Sequence, residues 1–135
     1  MTSFAKVQLK SVMTKNPLTV EPHLRLRDAM KRMRDLKVTH LPVLAEGKLI
    51  GILSERDLLA VMGIHGDQDH LQDHLQVKDV MISDPVTFPE GALIPDVAKK
   101  MVDEHIGSVL VVDDRKKLIG IFTYTDALKM LAADR

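Results

Sequence analysis

The sequence predicts an α/β (α+β) fold made of two β-α-β-β-α repeats, related by a pseudo-twofold axis and packed sheet to sheet. Three observations predict it. The stretch Gly51-Ile52-Leu53-Ser54-Glu55-Arg56-Asp57 returns as Gly120-Ile121-Phe122-Thr123-Tyr124-Thr125-Asp126. The residues leading up to each copy also correspond, at an offset of 68 that becomes 69 after the turn Asp113-Asp114-Arg115-Lys116-Lys117. An offset that changes only at a loop, where an insertion costs little, marks a duplication. Finally, each repeat is about 55 residues, a size that buries too little surface to be stable alone, so the halves are expected to pack together.

Residues 1–10 read as a tail or short lead-in helix, 11–64 as the first repeat, 65–77 as a connector and 78–133 as the second repeat. Val12-Met13-Thr14 precedes the turn signal Asn16-Pro17, and Leu18-Thr19-Val20 reads as a short extended segment. Leu26, Ala29, Met30, Met33 and Leu36 then follow a helical period, with Arg27, Asp28, Lys31, Arg32 and Arg34 on the other face. Leu41-Pro42-Val43-Leu44, a turn at Ala45-Glu46-Gly47-Lys48 and Leu49–Leu53 form a hairpin. A helix from Ser54 to about Met62 carries Leu58, Leu59 and Val61. In the second half, Val80-Met81, Asp84-Pro85 and Val86-Thr87-Phe88 repeat the opening. Ile94, Val97, Ala98, Met101 and Val102 repeat the first helix face, and Val109–Val112 repeats the first hairpin strand.

Composition excludes several classes. Nineteen basic residues balance nineteen acidic ones, so no overall field draws nucleic acid or an anionic membrane. Tryptophan is absent, and the few aromatics, Phe4, Phe88, Phe122 and Tyr124, offer no stacking platform for single strands. The absence of cysteine removes disulfides, thiolate metal sites and a cysteine nucleophile. With neither a signal-peptide run nor a membrane-length apolar stretch, the chain is expected to be soluble and cytoplasmic. The methionines fall at helical spacing and read as core filler. No Ser-His-Asp order, phosphate-cradling glycine loop or fixed carboxylate pair suggests an enzyme.

The ordered set of Val-Met followed by Pro, a hydrophobic-Pro-Val strand (Leu41-Pro42-Val43) and Gly-x-x-[Ser/Thr]-x-x-Asp, occurring twice, resembles a tandem pair of cystathionine-β-synthase (CBS) domains, a Bateman module. The resemblance covers about residues 11–133, and nothing is left over for a catalytic domain. It therefore implies a stand-alone CBS protein of bacterial type that regulates rather than catalyses. It implies adenosyl ligands (AMP, ADP, ATP or S-adenosylmethionine) in the clefts between repeats, with no obligatory cofactor. It further implies a homodimer forming a disc of four repeats, and an unknown protein target.

Two readings of Ser54-x-x-Asp57 and Thr123-x-x-Asp126 stand side by side. In one, hydroxyl and acid form a capping box at a helix start, which alone accounts for both residues at about 1 kcal/mol per cap. In the other, the same carboxylate accepts the ribose 2′,3′-diol, while helix-start amides and the hydroxyl suit a phosphate. By resemblance, the first site also takes Thr19, Val38, Thr39, His40, Pro42 and Arg56. The second takes Thr87, Ile106, Gly107, Ser108, Leu110 and Thr125. Arg56 and His40 are the residues expected to meet a phosphate. The absence of proline at position 110 ranks the Asp57 site ahead of the Asp126 site. His70 and His74, with His65, Asp67, Asp69 and Asp73 nearby, have the i, i+4 spacing of metal ligands but equally that of a polar linker, and no metal site is assigned. The alternative function is a dimerisation or interaction module without ligand.

Overall fold

The structure, a computed structural model, describes residues 3–65 and 74–134. The chain divides into two compact units whose limits differ from those of the sequence repeats. One unit combines residues 1–17 with 86–135, and the other runs from 18 to 85. Each repeat thus gives its leading segment to the unit built from the other repeat.

In the 18–85 unit, helix α2 (Leu26–Leu36) packs on the hairpin β2 (His40–Ala45) and β3 (Lys48–Ser54), and α3 (Glu55–His65) follows directly. The short helix α4 (Val77–Val80) and strand β4 (Ile82–Ser83) complete a three-stranded sheet of order β2-β3-β4. The other unit repeats the plan. Helix α1 (Leu9–Val12) and β1 (Thr14–Lys15) come from the N-terminus. They join β5 (Thr87–Pro89), α5 (Ile94–Glu104), β6 (Ser108–Val112), β7 (Leu118–Thr123) and α6 (Tyr124–Ala133). The sheet order is β1-β7-β6-β5.

Matching hydrogen bonds hold the borrowed segments. The amides of Leu9 and Lys10 donate to the carbonyls of Ala92 and Glu90, and Ile94 donates to Val7. In the other unit Val77 donates to Leu24, Lys78 to Pro22 and Leu26 to Leu75. Leu9 and Val77 are fully buried anchors of their respective cores. The duplication also extends to irregularities. A bulge interrupts β2/β3 between Val43 and Leu44, and its counterpart lies between Val111 and Val112. Helices α2 and α5 both end on a left-handed residue, Lys37 and His105. Asn16 and Asp84, just before the two prolines, are left-handed as well, which short polar side chains tolerate. The Glu46-Gly47 turn has positive φ at both residues (51° and 81°), the geometry of a two-residue type I′ hairpin loop.

Several details depart from the periodicity. Leu36, Leu59 and Val102 are more than half exposed, and Ala98 is exposed, because these helices bury only the narrow stripe facing their sheet. Ser54 ends β3 and caps α3 rather than entering it. Leu18-Thr19-Val20 forms a single bridge, Val20 to Val43, where the matching residues form strand β5. Proline explains the difference. In the second half the Leu110 amide donates to the Val86 carbonyl (3.0 Å), but Pro42 occupies the matching position and has no N–H to give. Pro42 is tolerated because β2 lies at a sheet edge. The helical tendency expected near Leu71–Leu75 falls mostly outside the described residues.

Gly51 and Gly120 sit within β3 and β7, paired on both sides. A Cβ on Gly120 would lie 2.5 Å from Met13 Sδ, and one on Gly51 would lie 2.6 Å from Met81 Sδ. The Val-Met and Gly motifs are therefore contact partners. At Gly51 the Ile82 carbonyl oxygen also lies 3.0 Å from the Cβ position, whereas at Gly120 every close atom belongs to the flexible Met13 side chain. Gly51→Ala is expected to cost about 1–3 kcal/mol, the range for overpacking, and Gly120→Ala measurably less. Urea denaturation of the two variants checks the order, and equal midpoints would contradict it.

Candidate ligand site

Each candidate site forms where a strand turns into a helix. At the first, the Asp57 amide donates to Ser54 Oγ (3.0 Å), and Asp57 Oδ2 accepts from the Ser54 amide (3.1 Å) and hydroxyl (2.7 Å). At the second, Asp126 Oδ2 accepts from the Thr123 amide (2.9 Å), and Thr123 and Asp126 close a capping box. The capping reading of these residues therefore holds at both ends. It also orients each carboxylate and commits Oδ2.

The loop before each hairpin is tied to the same corner. The first amide of α3, from Glu55, donates to the Thr39 carbonyl (2.8 Å), and the first amide of α6, from Tyr124, donates to the Gly107 carbonyl (3.3 Å). His40 pairs with Ser54 across the sheet, and Ser108 pairs with Thr123. Val38 and Ile106, both half-buried, donate their backbone amides to the Met33 and Met101 carbonyls. The structure thus brings Val38, Thr39, His40, Ser54 and Asp57 to one corner, and Ile106, Gly107, Ser108, Thr123 and Asp126 to the other. Pro42 and Leu110 are buried in their strands and offer little side-chain surface. Arg56 and Thr125 are exposed in the first helical turns. Thr87 is exposed on β5, opposite Leu110. Thr19 lines, with His23, Arg32, Leu44 and Gly47, an open depression of about 660 Å³ near the hairpin turn.

The two corners differ in one contact that sequence reasoning missed. Thr14, on β1, donates its hydroxyl to Asp126 Oδ1 at 3.0 Å. Asp126 is buried, with 7% of its surface exposed. Asp57 is half-buried, and its Oδ1 accepts no hydrogen bond among the described residues. Ile82 stands where Thr14 stands in the other unit. The mismatch between Val12-Met13-Thr14 and Val80-Met81-Ile82 was the legible signal. Of the connector, His70 and its aspartates lie outside the described residues, and no metal-binding cluster of acidic or histidine groups occurs among the described ones.

His40 is half-buried beside Thr39 Oγ1, 2.9 Å from its Nδ1. Burial lowers its pKa below the ordinary histidine value, and the nearby Asp57 and Glu55 carboxylates only partly oppose that. The fold therefore disfavours the charged ring. The unfolded chain holds more protons just below about pH 6.5, and stability falls as pH falls through that range. His40→Gln is expected to flatten this slope in melting temperature against pH. An unchanged slope would remove His40 as its source.

Two sheets, each edged by a short strand packed on a glycine and each followed by a capped helix, define a duplicated α/β fold. The chain belongs to the CBS domain family, which matches residues 9–63 and 77–133. It is 30% identical over 126 residues to the uncharacterized protein MJ1225 of Methanocaldococcus jannaschii, covering 88% of this chain and 45% of that protein. The chain thus spans less than half the length of this curated relative. Among solved structures it is similar to the CBS domain pair of protein MJ0100 in complex with 5′-methylthioadenosine and S-adenosyl-L-methionine. There the TM-score is 0.83 and the identity 26%, over 96% of this chain and 98% of that one. It is also similar to CBSX2 in complex with AMP, with a TM-score of 0.79 and 28% identity over 95% and 98%. No helix among the described residues is long and apolar enough to cross a membrane.

Proposed function

We propose that this protein is a non-enzymatic sensor of adenosyl nucleotides of the AMP, ADP and ATP type, bound first at the Asp57 corner. The observation that carries the reading is the state of Asp57. Its Oδ2 is fixed by the capping box, while Oδ1 accepts no hydrogen bond among the described residues and Asp57 is half-buried. Such a group is oriented before the ligand arrives, so little side-chain freedom is lost when a ribose diol binds. Ser54, His40 and the exposed Arg56 stand at the same helix start, where the dipole favours an anion. The AMP complex of CBSX2 and the S-adenosylmethionine complex of MJ0100 support the ligand class.

A ligand that binds only the folded state stabilises it, by about 2.7 kcal/mol at a hundred times Kd. AMP, ADP or ATP is therefore expected to raise the melting temperature by several degrees, and Asp57→Ala to remove most of that rise. Arg56→Ala is expected to weaken ATP far more than S-adenosylmethionine, which brings no phosphate to that corner. No shift with any of these compounds, on protein shown to be folded, would overturn the sensor reading.

A second reading, a dimerising interaction module, draws on α6. Tyr124, Leu128 and Leu131 fall at i, i+4 and i+7 on that helix and are each more than half exposed. An apolar helical stripe of this kind suits a homodimer contact. Light scattering is expected to show a dimer that Leu128→Glu converts to monomer. A wild-type monomer at micromolar concentration would exclude this role.

A further inference from the structure

We propose that Thr14 is a built-in competitor at the second site. On this proposal, two corners with the same sequence motif bind ligand with unequal affinity. The inference rests on the nucleotide reading above and assigns a specificity-determining residue to it.

Both corners use Oδ2 of their aspartate for the helix cap, so only Oδ1 is left for a ligand diol. At Asp126 that oxygen already accepts the Thr14 hydroxyl, and the residue is buried. The hydroxyl is held in place by backbone structure. Thr14 pairs with Ile121 and Lys15 with Gly120 in the β1/β7 ladder, and Met13 packs on Gly120. The 18–85 unit carries the same ladder, with Ile82 paired to Ile52, but isoleucine has no hydroxyl to donate. Asp57 Oδ1 accordingly has no hydrogen bond among the described residues. Thr14 takes one of that oxygen's two acceptor sites, so a diol whose two hydroxyls both donate there must displace a hydrogen bond to a charged acceptor, one of the stronger kinds. Thr14 itself is exposed on its short strand, so its hydroxyl can be removed without opening the core.

Calorimetric titration of the full chain with AMP tests the idea. In an Asp57→Ala background, which leaves only the Asp126 corner, Thr14→Val is expected to tighten AMP binding about tenfold or more, and Thr14→Ser to leave it weak. Ile82→Thr alone is expected to weaken the Asp57 site. Binding at Asp126 that Thr14→Val leaves unchanged or weakens would overturn the competitor role while leaving the sensor reading intact. No AMP binding to wild type or any variant would overturn both.

Discussion

The close approach of a methionine to a strand glycine is the constraint on which the rest of this structure depends. Met13 against Gly120 and Met81 against Gly51 allow a two-residue strand to lie on the edge of a hairpin from the other repeat. A side chain at Gly51 would press on the backbone of the short strand itself, and one at Gly120 would displace the Met13 side chain. The short strand in turn brings Thr14 to Asp126 and sets Ile82 at the matching register position of the other sheet. The same contact also joins the two repeats, because each borrowed segment is anchored by a fully buried residue, Leu9 or Val77, in the core of the other repeat's hairpin. Packing, topology and the character of the site thus follow from one steric requirement.

On the proposed sensor reading, one set of hydrogen bonds at the strand–helix corner serves stability and function together. Capping satisfies helix-start amides that would otherwise lack partners. It uses only one carboxylate oxygen, and leaves the second fixed in direction. The tie from the first helical amide to the Thr39 or Gly107 carbonyl then brings the pre-hairpin loop alongside. The capping and the proposed binding role of these aspartates are therefore compatible, because capping orients the carboxylate as binding would need.

Much of this was legible in the sequence. The helix read over Leu26–Leu36 has those bounds, both hairpins form, and the duplicated motif marks both corners. What was not legible shares one physical cause, the dependence on residues distant along the chain. Periodicity groups Leu36 and Val102 with their apolar faces but cannot show that the sheets leave them exposed. Nor can it show that residues 9–15 complete the sheet of the other repeat. The weak strand at 18–20 was within reach, since a proline at position 42 already removes the donor that such a strand needs.

The divergence between the two corners follows from which positions the frame constrains. The glycines, the capping hydroxyls and the aspartates are fixed by packing and by the needs of a helix start, and they match. Positions 14 and 82 lie on short edge strands where backbone pairing tolerates either threonine or isoleucine. Positions 42 and 110 differ in the same permissive way, because an edge strand can forgo one donor. Both differences leave the fold unchanged and alter what surrounds the candidate ligand groups: an oxygen with no hydrogen bond among the described residues and a lost strand bond in one unit, a hydrogen-bonded oxygen and a complete strand in the other. A duplicated frame can acquire unequal sites in this way without loss of stability, because specificity is carried at positions where the frame makes no demand.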